Sequence, residues 1–203
     1  MPLSDEGKKL LASMRTQRGQ GRGSGYDNPE ERGAGERCIV GFGGTGGPPM
    51  MNVLYNNNYQ IIQAKDHVVI VVEMNHDARI IPLNAQHKAK ALNPYLGDSI
   101  GWWEGDTLVV ETTHIPQSQQ FMGAWKDLKV TEKFKRVADD RLYYSFTVED
   151  PTLWDAPWGG EYEFHPLETQ RLFEYACHEG NYALPGILSG ARVEEAKAAG
   201  KKF

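Results

Sequence analysis

The sequence predicts a mainly β protein, an antiparallel up-and-down β-barrel of about eight strands. Three observations carry this. From Tyr59 onward, short alternating runs rich in Val, Ile, Tyr and Phe follow one another: Tyr59–Gln63, His67–Met74, Arg79–Leu83, Thr107–Thr112, Leu128–Val137, Arg141–Glu149, Tyr162–His165 and Arg171–Tyr175. Turn signals separate several of them, and Ala64-Lys65-Asp66, Glu104-Gly105-Asp106 and Ala138-Asp139-Asp140 are short enough to close antiparallel hairpins. Helical periodicity between the runs is missing, which argues against a parallel α/β sheet. A meander of this kind closes most simply into a small barrel.

Before the strands, Ser4 to Gln17 reads as a helix: Ser4 is an N-cap, Asp5 and Glu6 suit the first turn, and Leu10, Leu11 and Met14 form a narrow apolar stripe. Eleven of the 22 glycines then fall between Gly19 and Gly47, and this polar stretch, Arg18 to Pro49, reads as an arm over the surface. At the other end, Arg192 to Lys202 has helix-forming composition and reads as a short helix or frayed tail. The chain thus divides into residues 1–58 (helix and arm), 59–191 (barrel) and 192–203 (tail).

A 203-residue chain buries roughly 70% of the surface its unfolded form exposes, so it sustains a core. Its net charge of −5 disfavours nucleic acid and anionic membranes as partners. The longest purely apolar run, Val68 to Val72, falls far short of a membrane span, and no signal-peptide core opens the chain.

Strand parity points to the candidate site. Between Leu128 and Arg136, Leu128, Val130, Glu132 and Phe134 share one face, while Lys129, Thr131, Lys133 and Lys135 share the other. Glu132 therefore falls among core residues. A carboxylate there is costly unless paired or protonated, and Arg79 is its natural partner, because guanidinium takes a carboxylate bidentately. Two readings stand: a lined cavity with acid/base groups, or a structural ion pair. Between Val69 and Arg79 both faces begin apolar, so the inward face is ambiguous there; Glu111 shares a face with Val109 and Thr113.

Other motifs are weaker. Gly41 to Gly46 fits G-x-G-x-x-G, but Gly47-Pro48-Pro49 follows where a phosphate-binding helix would open, so it reads as a loop. None of the six histidines has metal-ligand spacing, and neither cysteine lies in C-x-x-C; neither metal nor cofactor is expected. His76, in Glu73-Met74-Asn75-His76-Asp77, and His178, beside Glu179, have the better surroundings for chemistry. Trp102 and Trp103 either clamp an apolar ligand at the barrel mouth or plug its end. Cys38 and Cys177 are either a disulfide or two buried thiols.

The run from Leu96 through Gly97-Asp98-Ser99-Ile100-Gly101-Trp102-Trp103-Glu104-Gly105-Asp106-Thr107 to Thr112 resembles a signature of a large, mostly uncharacterised family of β-rich bacterial proteins, often exported. Tyr59–Gln63, His67–Ile70, Glu73 to Leu83, Val130–Phe134, Phe146–Pro151 and Glu174–Tyr182 extend the resemblance over about Cys38 to Ala191. It implies a calycin-like barrel, a periplasmic or secreted location against a cytoplasmic alternative, and a bonded Cys38–Cys177 pair. Two features depart from that pattern: the glycine-rich stretch at Gly33–Gly47 stands for a shorter Cys-Leu-Pro-type loop, and Trp102 stands where a basic residue is usual.

Three functions compete. The first is a cofactor-independent lyase, dehydratase, isomerase or cyclase acting on a small, largely apolar molecule. Glu73, His76, Arg79 and Glu132 would be its catalytic set, with His76 or Glu132 as base and Arg79 as substrate anchor or carboxylate partner; Asp98, Trp102, Trp103, His178 and Glu179 would contact substrate. The second is a carrier of a small hydrophobic ligand, and the third an interaction module whose arm docks on a partner or exchanges within a homodimer.

Overall fold

The computed structural model describes residues 1–19, 26, 28–41, 45–52, 55–89, 92, 94–167 and 171–201. It is mainly β, with eight strands in two antiparallel sheets. The first sheet holds β1 (Tyr59–Gln63), β2 (His67–Val72) and β3 (Ala78–Pro82), in that order. The second holds β4 (Asp98–Glu104), β5 (Thr107–Thr113), β6 (Lys129–Ala138), β7 (Arg141–Glu149) and β8 (Trp158–Phe164), also in chain order. All three expected hairpins form, with Gln63 opposite Val68, Glu104 opposite Thr107 and Ala138 opposite Arg141. Among the described residues a parallel bridge, Leu83 to Gly101, joins the sheets at β3 and β4. In the described ladders β1 pairs only with β2 and β8 only with β7, so those two strands are the outer members of their sheets.

Both sheets share one core. Val68, Ile70 and Ile81 from the first sheet pack with Leu108, Val110, Val130, Phe134, Tyr144, Phe146 and Val148 from the second. The alternation follows the pleat: Val130, Glu132 and Phe134 are buried while Lys133 and Lys135 are exposed, as parity predicts.

Three strand expectations are corrected. Asp98–Glu104 is a strand, although Asp98, Ser99 and Gly101 give it a loop-like composition. Arg171–Tyr175 is not a strand, because the amides of Phe173 and Tyr175 bond side chains rather than a neighbouring strand. The His67–Met74 run also ends early, at Val72, where a 3-10 turn over Met74–His76 intervenes.

The N-terminal helix α1 (Asp5–Gly19) begins as expected, with the Gly7 amide donating to Ser4 Oγ at 2.9 Å. Its first turn lies against the turn after β7, where a Cβ on Gly7 would come within 2.3 Å of the Leu153 carbonyl oxygen, so only glycine fits. The stretch expected to lie over the surface contributes to the interior instead: its Ala34, Val40 and Thr45 are buried, and Met50, immediately after it, belongs to the core. Residues 42–44 of the glycine motif lie outside the described residues. At the C-terminus α2 (Cys177–Gly180) is a single turn, and α3 (Ala183–Ala198) starts nine positions earlier than the predicted Arg192. Cys38 and Cys177 form a disulfide. No helix among the described residues is long and apolar enough to cross a membrane.

Candidate functional site

The predicted Glu132–Arg79 pair exists and lies between the sheets, with side chains 0% and 1% exposed. Arg79 comes from β3 and Glu132 from β6. Arg79 Nη1 donates to Glu132 Oε1 at 3.0 Å, and Nη2 donates to Oε2, so the contact is bidentate. A polar thread extends from it. Arg79 Nη2 reaches Thr112 Oγ1 at 3.4 Å, Thr112 meets Ser99 at 2.7 Å, and Tyr144 donates to Glu132 Oε1 at 2.8 Å. The Met50 amide then donates to the Tyr144 hydroxyl at 2.9 Å. Burial disfavours the Arg79 cation, but the Glu132 charge outweighs it and holds the guanidinium above its ordinary value. Burial and the same carboxylate push the Tyr144 phenol well up, so it remains a donor.

Glu73 and His76 lie apart from this pair, in the β2–β3 connection. Glu73 is buried and accepts from Asn56 at 2.5 Å, Asn58 at 3.1 Å and the Phe173 amide at 3.3 Å. Burial raises its carboxyl pKa, but these hydrogen bonds prevail and hold it below the ordinary value. His76 Nε2 accepts from the Tyr175 amide at 3.3 Å. Amides two residues apart in an extended segment point the same way, so Glu73 and His76 act together as a side-chain substitute for a strand partner. The four residues expected to be catalytic therefore form two separate groups.

A sizeable cleft lies elsewhere. A cleft of about 920 Å³ opens between the two outer strands, lined by Asn57 to Ile61 and Gln63 on one side and by Phe164 to Leu167, Arg171 and Leu172 on the other. Its floor is apolar, from Val68, Ile70, Leu108 and Phe134, which are also core residues. Trp103, 42% exposed, and Leu142 complete the apolar lining, and the β4–β5 and β6–β7 turns bring Asp106, Arg136, Asp139, Asp140 and Arg141. Tyr59 and Phe164 meet edge to face across the gap, with centroids 5.3 Å apart. Burial, with the Glu132 charge behind it, pushes the Tyr59 phenol up to about 12. Neither Glu132 nor Arg79 lines this cleft.

The remaining predicted residues are dispersed. Trp102 points away from the cleft and donates to Glu104 Oε1 at 3.2 Å, while its neighbour Trp103 lines it, as strand alternation requires. His178 and Glu179 are exposed on α2, beside the disulfide. Asp98 is buried in a group that sequence reasoning missed. It accepts from His87 Nδ1 at 2.9 Å and the Lys88 amide at 2.8 Å, and His87 Nε2 lies 3.2 Å from Glu111 Oε1. His114 Nδ1 lies 4.0 Å from Asp98 and has no hydrogen-bond partner among the described residues. His87 sits in the aperiodic connection after β3, where only the parity of Glu111 gave a hint. No group of three or more His, Cys, Asp or Glu among the described residues is arranged to hold a metal ion.

The fold and site define a two-sheet antiparallel β protein with a large amphipathic cleft between its outer strands. No protein-family model, curated protein or solved structure matches the chain.

Proposed function

We propose that this chain binds a small, largely apolar organic molecule in the cleft between β1 and β8, and that the two sheets are the halves of a calycin-like barrel opened along that seam. The observation that supports this is the cleft itself: it is large enough for a ligand of ordinary cofactor size, and its floor is continuous with the apolar core. The buried Arg79–Glu132 pair serves in this reading to hold the sheets in register behind the floor. The resemblance to exported β-rich bacterial proteins fits the disulfide, which is characteristic of oxidising compartments, and we place the protein there.

The test is binding of a fluorescent apolar probe to the full chain. Trp103→Ala, which removes exposed aromatic area without touching the core, should weaken binding by about tenfold, corresponding to ~1.5 kcal/mol of lost contact. Unchanged affinity would move the ligand site away from the cleft. An acid/base enzyme is the second reading, supported by Asp98 holding His87 as carboxylates orient catalytic imidazoles. Loss of turnover with intact probe binding in His87→Gln would favour it.

A further inference from the structure

We propose that the cleft takes a carboxylate-bearing apolar molecule and that Arg136 is the group that holds the carboxylate; this rests on the small-molecule reading above. Arg136 extends the inward row of β6, following Val130, Glu132 and Phe134 at alternate positions, and so stands where the apolar floor meets solvent. Its guanidinium is already oriented. Nε donates to the Ala138 carbonyl at 3.3 Å and Nη2 to the Asp139 carbonyl at 2.5 Å. These bonds fix the plane of the fork and leave the rest of it open, with less side-chain freedom to lose on binding.

The surrounding charges sharpen the assignment. Arg141 lies near Asp140 and Glu163, at 3.7 and 3.6 Å, and Asp106 is paired with Lys135 at 3.3 Å. Arg136 has no carboxylate partner among the described residues, and a cation lacking one at the edge of an apolar floor fits an anionic head on an apolar body. Arg171, on the opposite wall, also lacks a carboxylate partner among the described residues, and no hydrogen bond from them orients it. Asp139 is the competing charge, since its carboxylate lines the same wall without a described basic partner.

The experiment compares two probes with one tail, dodecanoate below its micellar concentration and dodecan-1-ol, titrated calorimetrically into the full chain. The acid should bind on the order of tenfold tighter than the alcohol, as a charge-assisted bidentate contact gives. Arg136→Gln should close that gap while leaving the alcohol's affinity unchanged, Arg136→Lys should retain part of it, and Asp139→Asn should widen it. Arg136 is exposed and its bonds are confined to its own turn, so these variants should retain the wild-type circular dichroism. Equal affinity of acid and alcohol for the wild type would overturn the carboxylate assignment and leave the apolar-ligand reading standing. So would an acid preference that survives in Arg136→Gln. If neither probe binds, the reading beneath it falls as well.

Discussion

Arg79 and Glu132 are two full charges in an apolar interior, and their geometry decides what removing either one does. Arg79→Leu should cost about 3–5 kcal/mol, because it strands the Glu132 carboxylate, whereas Arg79→Leu/Glu132→Leu should recover most of that loss. Urea unfolding of these two variants and of Glu132→Leu tests this; a double variant whose loss equals the sum of the two single losses would mean that the pair is not coupled. Glu132→Gln should be nearly as damaging as Arg79→Leu, which opposes the outcome expected of a purely catalytic carboxylate. This part of the interior was legible in sequence: lysines at alternate positions of β6 assign its faces unambiguously and put Glu132 inside. The face of Arg79 was not. Asn75 and His76 take positive φ of 56° and 54° in the turn after β2, which resets the alternation before β3, and nothing local in the sequence marks a left-handed histidine.

At the scale of elements, the extended segment after β8 shows how side chains can replace a ladder. Its tie to Glu73 depends on a carboxylate held below its ordinary value of 4.5. The sign follows directly. A lowered folded-state value means that the stabilisation is fully present above the unfolded value, and is lost as the pH falls through the lowered one. Amide exchange at Phe173, read by NMR, should therefore stay slow at neutral pH and accelerate below about 4.5, after correction for intrinsic rates. In Glu73→Gln this acid-dependent step should vanish; its persistence would assign the effect to another group. The sequence called this segment a strand because Phe173 and Tyr175 alternate with polar residues, but a pattern of side chains does not say where backbone amides find acceptors. The opposite error hid β4: its inward Ser99 bonds Thr112 across the β4–β5 pair, a polar contact that mimics loop composition.

Across the whole molecule, the Cys38–Cys177 bond closes a separation of 139 residues, and in the chain-entropy model it stabilises the fold by about 5 kcal/mol. It does not by itself hold the N-terminal part in place. Met50 is fully buried; its amide meets the Tyr144 hydroxyl and its carbonyl accepts from Tyr162 at 2.7 Å, both from the second sheet. The glycine-rich composition concealed this, because one buried methionine after two prolines leaves no periodic trace. Cys38→Ser/Cys177→Ser should thus lower the melting temperature by roughly 10–20 °C, from 2–4 °C per kcal/mol at this size. It should also free the ends nearest the bond, including the Asn181 amide contact with the Glu36 carbonyl at 2.7 Å. Probe affinity below the transition should not change, because the cleft is lined by neither cysteine and Met50 stays anchored. A double variant that melts normally but no longer binds would mean that the disulfide shapes the cleft, and that the two sheets alone do not define the site.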